Sequence, residues 1–231
     1  MRRSVPADYT ARMLPAESIE RWLRDAFRAP LPGPAAQNRM APRPRTGWQP
    51  GVVPDGCRPG AGLLLVYPVD GLPVVLLTKR DPLLAQHAGQ VSLPGGALDP
   101  DETVEQAALR EAFEEVGLVS HGIRVIGQLT PLHIPVSQFV LHPVVACSER
   151  RPELVARPGE VERLLEPALG CLADSRNYAI ERRLFRGQEF RVPYVSVGGE
   201  KLWGATAMIL AEFLTLLGSP PDPWVTDQRR A

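Results

Sequence analysis

Apolar residues along this chain recur with two different periods, and the changes between them mark the elements. Ser18 to Phe27 places Ile19, Trp22, Leu23 and Phe27 at helical spacing, which predicts a short amphipathic helix. Residues 28–59 follow with eight prolines and several arginines, a composition that favours extended or polyproline conformations and makes a poor core segment. Leu63–Tyr67 and Val74–Thr78 are β-branched-rich runs flanking an Asp70-Gly71 turn signal, so they read as paired strands. Gln90–Leu93 reads as a short strand, and Ile123–Leu129 and Phe139–Cys147 as two more. Glu160–Leu165 reads as one or two helical turns after Pro158-Gly159. A hairpin is expected from Leu184–Phe185 and Phe190–Val197 around Gly187, then a closing helix over Trp203–Leu217 with Trp203, Ala207, Leu210 and Leu214 on one face. This order suits an α/β fold, an α/β/α sandwich around a mixed β-sheet. The boundaries it suggests are an N-terminal extension over 1–59, a domain over 60–218 and a polar, proline-bearing tail over 219–231.

Charge changes the picture by exclusion. Lys plus Arg and Asp plus Glu both number 26, so the net charge is zero. A chain that binds nucleic acid through overall charge is therefore not expected, and an anionic ligand must be met locally. Cys57, Cys147 and Cys171 lack the spacing of a zinc site or disulfide framework and read as reduced thiols of a cytoplasmic protein. No apolar run approaches membrane-spanning length and no signal peptide is evident, so no membrane partner is expected. A homodimer is compatible with the sequence, which does not fix the oligomeric state.

The candidate chemistry is concentrated in residues 96–118, GALDPDETVEQAALREAFEEVGL. Thr103 with Gln106 forms a capping-box pair, and Gly117 suits the position just past a helix end. Between them Leu109, Ala112, Phe113 and Val116 are expected to form the buried stripe, with Glu111, Glu114 and Glu115 at i, i+3, i+4 on the opposite face. Three clustered carboxylates repel, and hard cations that take oxygen ligands, Mg²⁺ or Mn²⁺, would relieve them. The competing reading is a solvated acidic helix face. Glu102 and Arg110 are spaced to pair across the loop and helix start and so to hold Glu111.

The spacing G-x5-E-x7-R-E-A-x-E-E-x-G-L, from Gly96 through Glu102, Arg110, Glu111, Glu114 and Glu115 to Gly117 and Leu118, resembles the Nudix box at every fixed position. The resemblance implies hydrolysis of a diphosphate linked to another group, in a small-molecule nucleotide substrate. It also implies a backbone carbonyl near Gly95 and Gly96 in the metal shell. A further carboxylate from the segment GEVERLLEP is implied as ligand or base, with Glu162 preferred and Glu160 second. Upstream, LLTKRDPLLAQHAGQVSLPGG over residues 76–96 resembles the coenzyme A pyrophosphatase branch of that family, matching at Leu76, Leu77, Thr78, Arg80, Gly89, Pro94, Gly95 and Gly96. It departs at Asp81, Ala85 and Leu93, where that pattern has Ser or Ala, Arg and Phe; the Trp203–Leu210 segment also looks like that branch. Branch membership implies cleavage of coenzyme A or an acyl-coenzyme A to 3′,5′-ADP and 4′-phosphopantetheine or its acyl form. Lys79 and Arg80 are the candidate phosphate contacts, beside Gly95 and Gly96. The loss of a cation at Ala85 and gain of an anion at Asp81 are expected to weaken coenzyme A binding. The alternatives kept open are another nucleoside diphosphate derivative, such as ADP-ribose or a dinucleotide, and a non-catalytic Nudix-like binding module. A calcium-binding protein is the weaker alternative, because the DPDE loop lacks the alternating ligands and central glycine of an EF-hand.

Overall fold

A computed structural model of the chain describes residues 16–45, 49–84, 87–185 and 187–224. Its centre is β1 (Arg58–Val69), a twelve-residue strand whose interior is buried on both faces. Leu64 and Val66 point into one apolar cluster and Ala61, Leu63, Leu65 and Tyr67 into a second, so the side-chain alternation of one strand feeds both sides of the sheet. That is why β1 reads as a continuous apolar run and not as an alternating one.

In chain order the elements are α1 (Ala16–Ala26), α2 (Gly33–Gln37), β1, β2 (Leu72–Val75), β3 (Leu77–Arg80), β4 (Val91–Ser92), β5 (Gly95–Ala97), α3 (Val104–Val116), β6 (Ile123–Gln128), β7 (Leu132–Ile134) and β8 (Phe139–Ser148). After these come β9 (Val161–Leu165), α4 (Leu169–Ala173), β10 (Tyr178–Phe185), β11 (Gln188–Val197), β12 (Glu200–Trp203) and α5 (Gly204–Leu216). The main sheet runs β2-β1-β8-β6, with β5 on β1 and β7 on β8. β1 and β8 are parallel and the other pairings antiparallel, which makes the sheet mixed. The cluster containing Ala107, Ala108, Ala112 and Val116 of α3 covers one face. Residues of α1 and α5 cover the other, completing the α/β/α sandwich. Two small sheets, β4-β3-β9 and β10-β11-β12, complete the described residues.

Two expectations about elements are corrected. Glu160–Leu165 is not helical: β9 pairs antiparallel with β3, from Leu77 with Leu165 to Arg80 with Val161. The open edge of β3 supplies backbone partners that a five-residue segment cannot supply for itself, so pairing overrides local helix preference. The proline-rich stretch, expected to be a poor core segment, also contributes to the core. Ile19, Leu23, Met40 and Ala41 are buried in the same cluster as α5, with Trp22 and Phe27 packed against it. Gln37 and Gly33 bind Glu212, a fully buried carboxylate on α5. Its oxygens accept from Gly33 N (3.1 Å), Gln37 Nε2 (2.8 Å), Thr130 N (3.2 Å) and Thr130 Oγ1 (2.6 Å). Trp224 packs back in the same way: it donates Nε1 to the Arg39 carbonyl and stacks under the Arg43 guanidinium at 3.8 Å. Residues 16–45 thus belong to the packed body, and the tail expected to be polar contributes Trp224 to it.

Candidate active site

The capping box at the start of α3 forms as the sequence predicts: Gln106 N donates to Thr103 Oγ1 (3.2 Å) and Thr103 N to Gln106 Oε1 (2.9 Å). Gly117 ends the helix with φ 67°. The rotation of the helix differs from the expected one. Its buried side consists of Ala107, Ala108, Ala112, Glu115 and Val116, whereas Phe113 is 59% exposed. Of the expected stripe, Ala112 and Val116 are buried, Leu109 is half-buried and Phe113 is exposed. The helix instead turns its alanines to the sheet, because small residues allow close approach to β1 and β5. Glu115 is carried inward with them.

Close approach also explains the two glycines. A Cβ on Gly96 would lie 2.4–2.6 Å from the carboxylate atoms of Glu111, and one on Gly95 only 2.3 Å from the Ala61 carbonyl oxygen. Gly96 therefore leaves room for the Glu111 carboxylate to rest against the β5 backbone.

Arg110 organises the loop side. It grips Glu102 with two bonds, Nε to Oε1 and Nη2 to Oε2, both 3.0 Å, and donates Nη2 to the Ala97 carbonyl at 2.9 Å. Its Nη1 meets Glu111 at 2.9 Å and Glu114 at 3.3 Å. Glu102 also accepts from Asp99 N at 3.1 Å. The expected Glu102–Arg110–Glu111 brace is thus present as a bidentate, charge-assisted arrangement. The arginine holds the Glu102 carboxyl below its ordinary pKa, and the surrounding carboxylates raise that of the guanidinium. Burial pushes Glu111 up in spite of Arg110.

Glu115 is the most deeply placed of the α3 acids, 5% exposed. Its Oε1 meets Arg80 Nη1 at 3.4 Å, while its Oε2 is buried without a hydrogen-bond partner. Burial pushes this carboxyl up to about 7; Arg80 opposes that shift, and the charges of Glu111 and Glu160 add to it. The consequence for stability has a definite sign. The folded chain holds the Glu115 proton more tightly than the unfolded chain does. Stability from this group is therefore complete below the ordinary value of 4.5 and is lost as pH rises through about 7. With EDTA present, Glu115→Gln is expected to flatten the fall in melting temperature between pH 5 and pH 8, an effect of at most about 3 kcal/mol. Parallel curves for wild type and variant would show that the Glu115 carboxyl does not titrate in this window.

The other candidates are placed less centrally. Glu162 on β9 is taken by Lys79, whose Nζ lies 3.1 Å from Glu162 Oε2 and 3.0 Å from Glu200 Oε1; Arg163 Nη2 joins Glu200 at 2.5 Å. Lys79 and Glu162 therefore meet each other, and Glu160, the second choice, is the acid whose charge reaches Glu115. No sequence signal pointed to Glu200, the first residue of β12. Asp81 Oδ1 accepts from Leu83 N at 2.8 Å, so this departure serves a local turn. Leu93 is buried in the core, as an apolar substitute should be. Ala85 lies outside the described residues.

Among the described residues, no three His, Cys, Asp or Glu side chains converge closely enough to hold a cation as they stand. Glu111 and Glu114 are turned to Arg110, and Glu115 to Arg80. The donor set nonetheless fits a hard divalent ion. Glu115 Oε2 is a buried oxygen with nothing to satisfy it, and the Glu111 carboxylate lies in the cradle that Gly96 leaves open.

A family model described as NUDIX domain matches residues 57–170. Nudix hydrolase NudL of Photorhabdus laumondii, named as uncharacterized, is 35% identical over 151 residues, spanning 65% of this chain and 80% of that protein. Nudix hydrolase 3 of Caenorhabditis elegans is 32% identical over 181 residues, spanning 71% of this chain and 75% of its own length. Among solved structures, the Nudix hydrolase RenU of M. smegmatis superposes with a TM-score of 0.42 at 33% identity, over 48% of this chain and 70% of that one.

Proposed function

Because the chain belongs to the Nudix family, whose hydrolases act on nucleoside diphosphate derivatives and generally use divalent cations such as Mg²⁺ or Mn²⁺, we propose that it hydrolyses the diphosphate bond of coenzyme A or an acyl-coenzyme A. The observation that carries the reaction class is the pair formed by Glu111 against Gly96 and Glu115 with its unpartnered oxygen. Glu111, Glu114 and Glu115 are the residues that would hold the cation. Bound there, it would neutralise the diphosphate and lower the pKa of an attacking water. The side chains do the rest. Arg110 fixes Glu111 and Glu114 through Glu102 and the Ala97 carbonyl. Arg80 supplies positive charge at the buried end of α3. Glu160 is the favoured outer carboxylate to accept a proton, since Glu162 is engaged by Lys79.

Support for coenzyme A comes from the upstream motif. Arg80, Gly95 and Gly96 all take part in the site, and Leu93 and Asp81 are absorbed by core and turn without disturbing it. The three cysteines, all free, fit a reducing compartment, and we place the reaction in the cytoplasm. The second reading is hydrolysis of ADP-ribose or a dinucleotide, favoured by the missing cation at Ala85. A panel of coenzyme A, acetyl-coenzyme A, ADP-ribose and diadenosine polyphosphates, each with Mg²⁺ or Mn²⁺, separates the two. We expect 3′,5′-ADP and 4′-phosphopantetheine as products with the highest kcat/KM for the coenzyme A substrates. A higher kcat/KM for ADP-ribose would transfer the assignment to the second reading, and no turnover of any member would leave a binding module.

A further inference from the structure

Arg80 and Arg110 are both arginines facing the acids of α3, yet they are held very differently. Arg110 makes bonds of 2.9–3.0 Å to Glu102, Glu111 and the Ala97 carbonyl. Arg80 has one contact with Glu115, at 3.4 Å, and its Nε is buried without a partner. Glu115 Oε2, on the other side of the same pair, is equally unpartnered. The ion pair therefore leaves two buried polar atoms unsatisfied, and its contact lies at the long end of hydrogen-bond geometry. Among the described residues Arg80 is the cation whose charge bears on Glu115: Arg110 is committed to Glu102, Glu111 and Glu114, Lys79 to Glu162 and Glu200, and Arg157 reaches Glu160 and the Glu114 carbonyl. A buried carboxylate with one weakly fitted counter-ion is a site at which that counter-ion can be exchanged.

We infer that Arg80 and a divalent cation are alternative counter-charges for Glu115, so that cation loading releases the Arg80 guanidinium to meet the substrate's diphosphate. The inference rests on the metal reading of Glu115 given above, and it assigns Arg80 two successive partners. It makes cation binding and substrate binding mutually reinforcing: each cation that takes Glu115 leaves one guanidinium without its carboxylate, and two oxygens of a diphosphate can accept from it in a bidentate pair. A guanidinium that stayed on Glu115 would instead compete with the cation at every stage.

The test is a titration of the full chain with Mn²⁺ alone, followed by electron paramagnetic resonance, with no nucleotide present. Arg80→Gln removes the competing charge and should tighten Mn²⁺ binding about 5- to 20-fold. Arg80→Lys keeps the charge and should stay within about twofold of wild type. Unchanged or weaker binding by Arg80→Gln would overturn the exchange, and would make Arg80 a positioning residue for Glu115. A measurement on the wild type stands independently of whether the variants fold. Titration with Mg²⁺ should shift the Arg80 Nε–Hε resonance as the pair opens, and saturation by Mg²⁺ without such a shift also defeats the inference. If Glu115→Gln leaves wild-type Mn²⁺ affinity intact, Glu115 is no ligand, and the metal reading falls along with the exchange.

Discussion

Glu115→Gln is expected to slow diphosphate hydrolysis by at least about 100-fold, more than loss of a residue that merely orients a ligand. The substitution keeps the shape of a side chain that is 5% exposed and lies on the buried side of α3 with Ala108, Ala112 and Val116, so the helix has no steric reason to move. What it removes is the charge of the acid that, among the described residues, has a buried oxygen with no hydrogen-bond partner. The rate loss should appear in kcat with the melting temperature at pH 8 unchanged or raised, since the carboxyl is destabilising above its folded pKa of about 7. A companion substitution, Glu162→Gln, should cost far less, because Glu162 pairs with Lys79 and with none of the α3 acids. Activity of the Glu115 variant within a few-fold of wild type, or activity undiminished by EDTA, would defeat the assignment of the cation to this carboxylate.

Removing the first 48 residues is expected to cost most of the folding free energy. The deletion strips Ile19, Leu23, Ala36, Met40 and Ala41 from the interior, all at 3% exposure or below. Full burial of a large apolar side chain contributes roughly 1.5–3 kcal/mol, so the loss from Ile19, Leu23 and Met40 alone is of the order of the 5–15 kcal/mol that holds a domain together. The same deletion takes Gly33 and Gln37 away from Glu212, leaving a fully buried carboxylate with only Thr130 as donor. A milder probe isolates that second effect. Gln37→Leu removes one donor from Glu212 and should lower stability by about 2–3 kcal/mol, measured by urea unfolding. A shortened chain beginning at Gly47 that melts cooperatively at the wild-type temperature would show that these contacts contribute little.

Much of the site could be read in the sequence because its determinants are local. Thr103, Gln106 and Gly117 delimit α3 through bonds to their own backbone neighbourhood, and Glu102 reaches Arg110 across eight residues of loop and helix start. Spacing alone carries that information. The strands β1, β6 and β8 were legible for a similar reason, since burial on a sheet face imprints itself on consecutive residues. What spacing could not carry was rotation and partnership. Leu109, Ala112, Phe113 and Val116 suggest one buried stripe, yet the sheet accepts the alanine side of α3, which exposes Phe113 and buries Glu115. β9 looks helical until β3 offers it an edge. The proline-rich segment looks like a linker until Met40 and Ala41 meet α5 and Glu212 fixes Gln37 across 175 residues. The sequence by itself determined which carboxylates are gathered on one helix and where that helix begins and ends. The tertiary structure decided which of them is buried, which arginine answers it and which segments close the core, because those depend on surfaces assembled from residues far apart in the chain.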